Sequence, residues 1–508
     1  MENLAASLDH QAARRPDKVV LTHGSVTRTN TQLLERVNAL AAALREKGVG
    51  EGGIVAILLY NRIEFIETVY AVARLGASFL PLNFRLSPAE WEYILGHAGA
   101  QVVVVDADFA EQLQSVADGL DALSTVIRLP HPDTGQGADD FGPLVSAHLG
   151  ETVPTVDVPG EAMQRLMYTS GTTSRPKGVV ISHRNYLAKT LGMLLLLGWD
   201  DTEVAVVSGP LYHVGALDMG GLTVLHAGGS LVLQTKYDAA EALELIEAHR
   251  ATNIWLAPAM VNGILQHKRT DEADLTSLRL MISGGEKMPE ARLTQLLDRV
   301  PGLWFADAYG LTETVSGDTY MTKESMLDKL GSVGRPVPHL QIRIVDDAGH
   351  GVPVGETGEV TLRGPKVFSE YWRDPDATAA AIRDGWFHTG DVGWLDEDGF
   401  LYIADRKKDM IVSGGGNIAT PEVERVLYEH PDVVEAAVIG MSHERWGEVP
   451  HAFVVRREGS DASADQIRDF CAARLAKFKV PQRITLIDTL PRTPSGKVLK
   501  RKLREDAR

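Results

Sequence analysis

Apolar residues recur every three to four positions over 33–44, and Gly48 and Gly50 close the run. That period predicts an amphipathic helix ended by glycine. The same period returns over 65–75 and stops at Gly76. An unbroken apolar run, 54–59, lies between the two, and four consecutive valines follow at 102–105. Continuous β-branched runs of this length suit parallel strands covered on both faces. Strand and helix signals alternating through 1–165 predict a layered α/β region. The Pro-, Gly- and Asp-rich stretch 130–142 reads as a loop. Further on, 179–181 and 280–282 read as strands, and 253–258 as a strand running into a turn. The pattern then changes. Over 332–404, strands are expected at 341–345, 358–362 and 399–403, joined by Gly/Asp turns. The last hundred or so residues predict a small α+β unit, with helices over 421–428 and 465–476 and strands over 434–439 and 452–455.

A chain of 508 residues exceeds one compact core. The expected organisation is an α/β protein: a large domain, 1–407, of layered sheets with a β-rich part, then a small mobile domain, 408–508. Apolar and charged contents of 44% and 23% are those of a soluble globular protein. The net charge of −17 argues against a nucleic-acid partner while leaving room for a local basic pocket. Cys471 is the lone cysteine, so no internal disulfide forms, in keeping with a cytoplasmic location. The first residues lack the apolar core of a signal peptide, and no apolar run is long enough to span a bilayer. A homodimer is an open expectation.

Candidate chemistry centres on 168–178, YTSGTTSRPKG. Small residues let backbone N–H groups approach an anion, hydroxyls add donors, and Lys177 adds charge. Thr169, Ser170, Gly171, Thr172, Thr173 and Lys177 therefore read as a phosphate grip. It is not a P-loop: Pro176 stands at the second glycine and Gly178 follows the lysine. Gly284 and Gly285, before Glu286, offer bare backbone at the end of a strand, on which a flat ring can lie. In the heptamer 307–313, DAYGLTE, Tyr309 offers a face for stacking, Thr312 a hydroxyl and Glu313 a carboxylate suited to Mg²⁺ beside phosphates. Asp218, near an otherwise apolar stretch, suits recognition of a hydroxyl or amine; facing solvent or capping a helix is an equally good reading.

The loop 168–178, followed in order by these motifs, resembles the signature of the adenylate-forming superfamily: acyl-CoA synthetases, peptide-synthetase adenylation domains and luciferases. The likeness runs over nearly the whole chain and is closest to fatty and aryl acid–CoA ligases. It implies ATP, Mg²⁺ and CoA as reaction partners of a small carboxylic acid. It implies a nucleotide site of the loop residues, Gly284, Gly285, Glu286, Asp307, Ala308 and Tyr309, with Asp391 and Arg406 on the ribose. Thr312 and Glu313 serve phosphate and metal, and Lys497 in PRTPSGK is the catalytic lysine. It places His213, Val214, Gly215, Ala257, Met260, Gly284 and Gly310 around the acyl group, His213 also acting in catalysis. Gly215 stands where relatives often carry a larger residue, which leaves room for ligand. Lys408 matches the hinge about which the small domain turns.

Two departures bear on this expectation. Ser174 replaces a glycine in the phosphate loop, and Gly416 stands where many CoA ligases carry glutamate. The second touches the acceptor side. It keeps open an adenylate-forming enzyme with another acceptor, making amides, loading a carrier, or activating nitrite to diazotise an aryl amine.

Overall fold

The computed structural model describes residues 2–169, 175–286, 288–407, 409–413, 416–493 and 497–507. Ser170, Gly171, Thr172 and Thr173 of the expected phosphate grip, and the expected hinge Lys408, lie outside the described residues.

Among the described residues the strands form four sheets. The strand Val102–Asp106 is buried at every residue, as its run of valines requires. It lies in a six-stranded sheet that continues through Ile54–Leu58, Ser78–Pro81 and Met163–Thr169 to Lys177–Ser182. All neighbours there are parallel except the last pair, a hairpin in which Thr169 opposes Lys177. Fully burying each such aliphatic side chain contributes about 1.5–3 kcal/mol. A nine-stranded sheet carries Asn253–Leu256, Leu280–Gly284 and Trp304–Tyr309 side by side and parallel. One core joins both sheets; it takes Leu40, Phe65 and Val69 from helices, Val55 and Val104 from the smaller sheet, and Ala205 and Leu231 from the larger.

An antiparallel five-stranded sheet follows, with Gln341–Val345, Gly358–Arg363, Trp386–Leu395 and Leu401–Arg406 among its members. The last sheet, built on Val433–His443 and Gly447–Arg456, has its own core around Val426, Val438 and Ile467.

Two expected boundaries move, and one helix is new. The helix Phe141–Ala147 takes the end of the expected loop 130–142. The helix His183–Leu197 begins at His183 because Ser182 caps it, accepting from Asn185 N–H while Asn185 reciprocates. The helix expected over 465–476 ends earlier, as Ala464–Ala472. The largest surprise lies after His213. Gly215–Leu222 is a π-helix, which a run of small residues does not announce.

Candidate active site

The ends of two adjacent strands lay out one side of the site. Leu280–Gly284 pairs with Trp304–Tyr309 so that Ser283 opposes Asp307 and Gly284 opposes Ala308. A Cβ at Gly284 would run into the Ala308 carbonyl oxygen, so the close pairing itself demands glycine there. Gly285 differs. Its φ is +93°, and the one neighbour a Cβ would meet is Lys497 Cε, at 3.5 Å. The bare backbone at Gly285 thus faces the C-terminal lysine.

Lys497 is brought there by its own loop. Val498 N–H donates to Glu286 Oε1 at 2.8 Å, and Thr493 N–H donates to the Lys497 carbonyl at 2.6 Å. Burial lowers the Lys497 pKa, and the nearby Arg406 lowers it further, against the carboxylates of Glu286, Asp391 and Glu313. The expected catalytic lysine and four expected nucleotide-site or metal-site residues therefore share one electrostatic neighbourhood.

Asp391 and Arg406 oppose each other on neighbouring strands. Arg406 Nε lies 2.5 Å from Asp391 Oδ1, and the Tyr309 hydroxyl donates to Oδ2 at 2.7 Å. Both carboxylate oxygens are held, which fixes the side chain. Glu313 sits in the short 3₁₀ turn Thr312–Thr314 and accepts from the Tyr371 hydroxyl at 2.9 Å. Burial raises its pKa, partly offset by that hydrogen bond and by Arg406. Lys177 Nζ lies over the Tyr371 ring, 4.9 Å from its centroid. Tyr371 thus links lysine and carboxylate, a role the sequence analysis missed.

No group of three or more His, Cys, Asp or Glu gathers for a metal among the described residues. A half-buried carboxylate such as Glu313 nevertheless suits Mg²⁺, which keeps most of its ligands from water and substrate phosphates.

The acyl side corrects two expectations. His213 Nδ1 accepts from Gly215 N–H at 3.1 Å. Burial, reinforced by Lys497, lowers the imidazole to about 4, so it is neutral near pH 7. Its proton then sits on Nε2, making His213 a donor. Gly215, however, leaves no empty space: a Cβ there would come within 2.6 Å of Trp255 Cε2. A Cβ at Gly209 would lie 2.5 Å from Trp255 Cζ3. The indole occupies the room both glycines leave; it is 6% exposed, with its centroid 6.0 Å from that of His213. Trp255 was visible in the sequence as a strand residue, but nothing local names the glycines it fills.

Asp218 is the second correction. It is wholly buried and paired with Arg165, Nη2 to Oδ2 at 2.6 Å, so it does not face solvent. Gly310 is pressed against the Ser316–Gly317 backbone, where a Cβ would not fit. Val214 is buried in the central core, Ala257 packs against that core, and the Met260 carbonyl accepts from the Tyr237 hydroxyl at 2.5 Å.

The chain matches the family model described as AMP-binding enzyme over residues 8–372, and that of the AMP-binding enzyme C-terminal domain over 422–497. It belongs to the AMP-binding enzyme family. This AMP-binding enzyme is 38% identical over 494 residues to a feruloyl-CoA synthase of Amycolatopsis sp, covering 97% of each chain. It is 38% identical over 505 residues to the indoleacetate–CoA ligase of Aromatoleum aromaticum, covering 99% of this chain and 98% of the relative. Its fold superimposes on an anthranilate CoA ligase crystallised with anthranoyl-AMP, with a TM-score of 0.93 and 28% identity, over 100% of this chain and 97% of that one. These relatives are aryl acid–CoA ligases of the adenylate-forming superfamily.

Proposed function

We propose that this AMP-binding enzyme is an ATP-dependent, AMP-forming aryl acid–CoA ligase. The observation that carries the reading is Lys497 against Gly285, in one charged neighbourhood with Arg406, Asp391 and Glu313. A carboxylate oxygen cannot leave, so the acid is first activated. Its oxygen attacks the α-phosphorus of ATP, pyrophosphate departs, and an acyl-AMP forms. Anionic repulsion dominates that barrier, so fixed cations and N–H donors contribute most of the catalysis.

Lys497 stands between carboxylate and α-phosphate and offsets their charge. Asp391 accepts from the ribose hydroxyls beside Arg406. Tyr309 and the Gly284–Gly285 backbone flank the adenine, with Glu286, Asp307 and Ala308 at its edge. Lys177, with Thr169, Ser170, Gly171, Thr172 and Thr173, grips the leaving phosphates, to which Thr312 donates. Glu313 is the residue that would hold Mg²⁺, whose contribution is to neutralise phosphate charge. His213 donates from Nε2 at the acid's carboxyl end. The ring of the acid lies toward Trp255, which suits an aryl substrate.

In the second half-reaction the thiolate sulfur of CoA attacks the acyl carbon and AMP leaves. We assign the domain boundary at 407/408 and the swing that removes Lys497 to Lys408. The small domain supports CoA as acceptor by carrying exposed Trp446 and Phe478. Arg445 and Lys479 lie over those rings, at 4.6 and 5.6 Å from the centroids. Aromatic faces beside cations suit a phosphorylated adenine nucleotide. Cys471, buried and free, is compatible with the reducing cytoplasm, where we place the enzyme. Among the described residues no helix is long and apolar enough to cross a membrane. We expect no nucleic-acid partner, and light scattering distinguishes a monomer from a homodimer.

The test is pyrophosphate release over a panel of aryl and aliphatic acids, with the products weighed by mass spectrometry with and without CoA. Thiolesters of aryl acids are expected. AMP produced only with an amine, a carrier protein or nitrite would overturn the acceptor, and no pyrophosphate with any acid would overturn the activation step.

A further inference from the structure

The turn that follows His213 is wound wider than an α-helix over Gly215–Leu222. Short π-helical insertions give up hydrogen-bond quality and occur mostly at functional sites. This one is gripped from outside by charges that the reaction scheme leaves unused. Lys189, buried on the helix His183–Leu197, donates from Nζ to the carbonyl oxygen of Asp218 and to Thr223 Oγ1, both at 2.6 Å. Thr223 Oγ1 donates in turn to the same carbonyl at 2.7 Å. The Tyr186 hydroxyl donates to the Leu222 carbonyl at 3.2 Å. Arg165, on the strand Met163–Thr169, holds the Asp218 carboxylate at 2.6 Å, with neither side chain exposed.

The far side of the turn is held as well. Ser316 Oγ donates to Met219 Sδ at 3.6 Å. Lys366, paired with Asp318 at 2.7 Å, donates to the carbonyls of Ser316 and Gly317. Lys189 and Arg165 thus hold Asp218 by its carbonyl and its carboxylate from two segments, and Lys366 holds the adjoining Ser316–Gly317 backbone. Burying charge is costly unless it is paired, and an apolar set of equal volume often serves stability as well or better. What apolar side chains cannot do is donate to carbonyls of a widened turn. The other face of the turn carries Gly215 and Gly220 against Trp255. Any relaxation toward an α-helix therefore moves the backbone beside both the indole and His213.

We propose that Arg165, Lys189 and Asp218 are positioning residues that hold the wide turn Gly215–Leu222, and through it the seat of His213 on Trp255, so setting the fit of the acid. The effect on the acid rests on the acyl pocket proposed above; the hold on the turn does not.

The test uses Lys189→Met, the double substitution Arg165→Met/Asp218→Leu, and Lys189→Arg, each in the full chain and checked for cooperative unfolding. In the first two, KM for the acid is expected to rise about 10- to 100-fold, the scale of a misplacement near 1 Å. KM for ATP should stay within about threefold, since uniform damage would raise both. Lys189→Arg, which still donates, should recover part of the loss. Folded variants with both KM values unchanged, or raised equally, would overturn the proposal. A second readout needs no turnover. The ¹⁹F resonance of 5-fluorotryptophan at Trp255, assigned with Trp255→Phe, should shift in substrate-free Lys189→Met, and an unmoved resonance overturns the proposal. Should Lys189→Met not fold, Thr223→Val removes a donor to the same carbonyl and carries the same expectation at smaller size. A wild type that releases no pyrophosphate with any acid would overturn the ligase reading alone, with the fluorine shift still deciding the hold on the turn.

Discussion

The nucleotide end and the acyl end of the cleft are built on different terms. At the nucleotide end, polar side chains hold one another at the wall: Asp391 takes Arg406 and Tyr309, Glu313 takes Tyr371, and Lys497 arrives on a loop tied to Glu286. At the acyl end, one indole fills the room of two glycines, and the charges stay behind the wall around a π-helical turn. The comparison separates two kinds of recognition. A phosphate and a ribose are met by donors and acceptors, which residue types announce. An acid of particular size is met by volume, which depends on what packs against what.

The largest effect expected at the nucleotide end is that of Lys497→Ala. Adenylation should fall by about 10²–10³ or more, the scale for one well-placed electrostatic group. Thiolester formation from supplied acyl-AMP should be largely spared, because the role proposed for the lysine lies in the first half-reaction. Equal loss in both halves, measured by quenched-flow assay, would break the two-conformation account.

Asp391→Ala comes next. Ribose hydroxyls change no charge in the reaction, so their bonds are close to uniform binding. KM for ATP should rise about tenfold or more, with a smaller change in kcat. A pure kcat defect at saturating ATP would remove Asp391 from the ribose.

At the acyl end the comparison sharpens through volume. A methyl at position 215 meets the Trp255 ring, so Gly215→Ala should destabilise the protein by about 1–3 kcal/mol through overpacking. Combined with Trp255→Leu, the same substitution should cost clearly less, giving a coupling readable in a double-mutant cycle of denaturant unfolding. Trp255→Leu alone should shift the acid preference toward larger rings. Additive stabilities and an unmoved preference would return pocket depth to some other residue.

The smallest effect concerns pH. Burial holds the His213 imidazole at about 4, below its ordinary 6.5. Between those values the unfolded chain binds the proton and the folded chain does not, so this residue's contribution to stability is full above pH 6.5 and falls as the pH drops toward 4. His213→Asn should flatten the stability profile in that window by at most about 1.4 kcal/mol per pH unit. An unchanged slope would show that the imidazole is protonated in the folded protein.

Much of this was legible along the chain. The valines of Val102–Asp106 gave up a strand because burial on both faces asks for a continuous β-branched run, and the helix Asn30–Glu46 was visible in its apolar period although Val37 to Leu44 is buried all round. Gly284 and Gly285 were read together as a bare platform, yet pairing with Ala308 demands the first glycine and Lys497 faces the second. That Asp218 is buried rather than at the surface depends on Arg165, 53 residues away on another element.

By itself, the sequence determined the class of the fold and the family, because motif spacing and residue type encode donors, acceptors and periods locally. Only the tertiary structure decided that Trp255 closes what Gly215 opens, that Asp218 belongs to a buried pair, and that the turn after His213 is wide. Those outcomes are set by volumes and charges meeting across distant segments, and no local pattern records which cavity a side chain fills or which buried charge it answers.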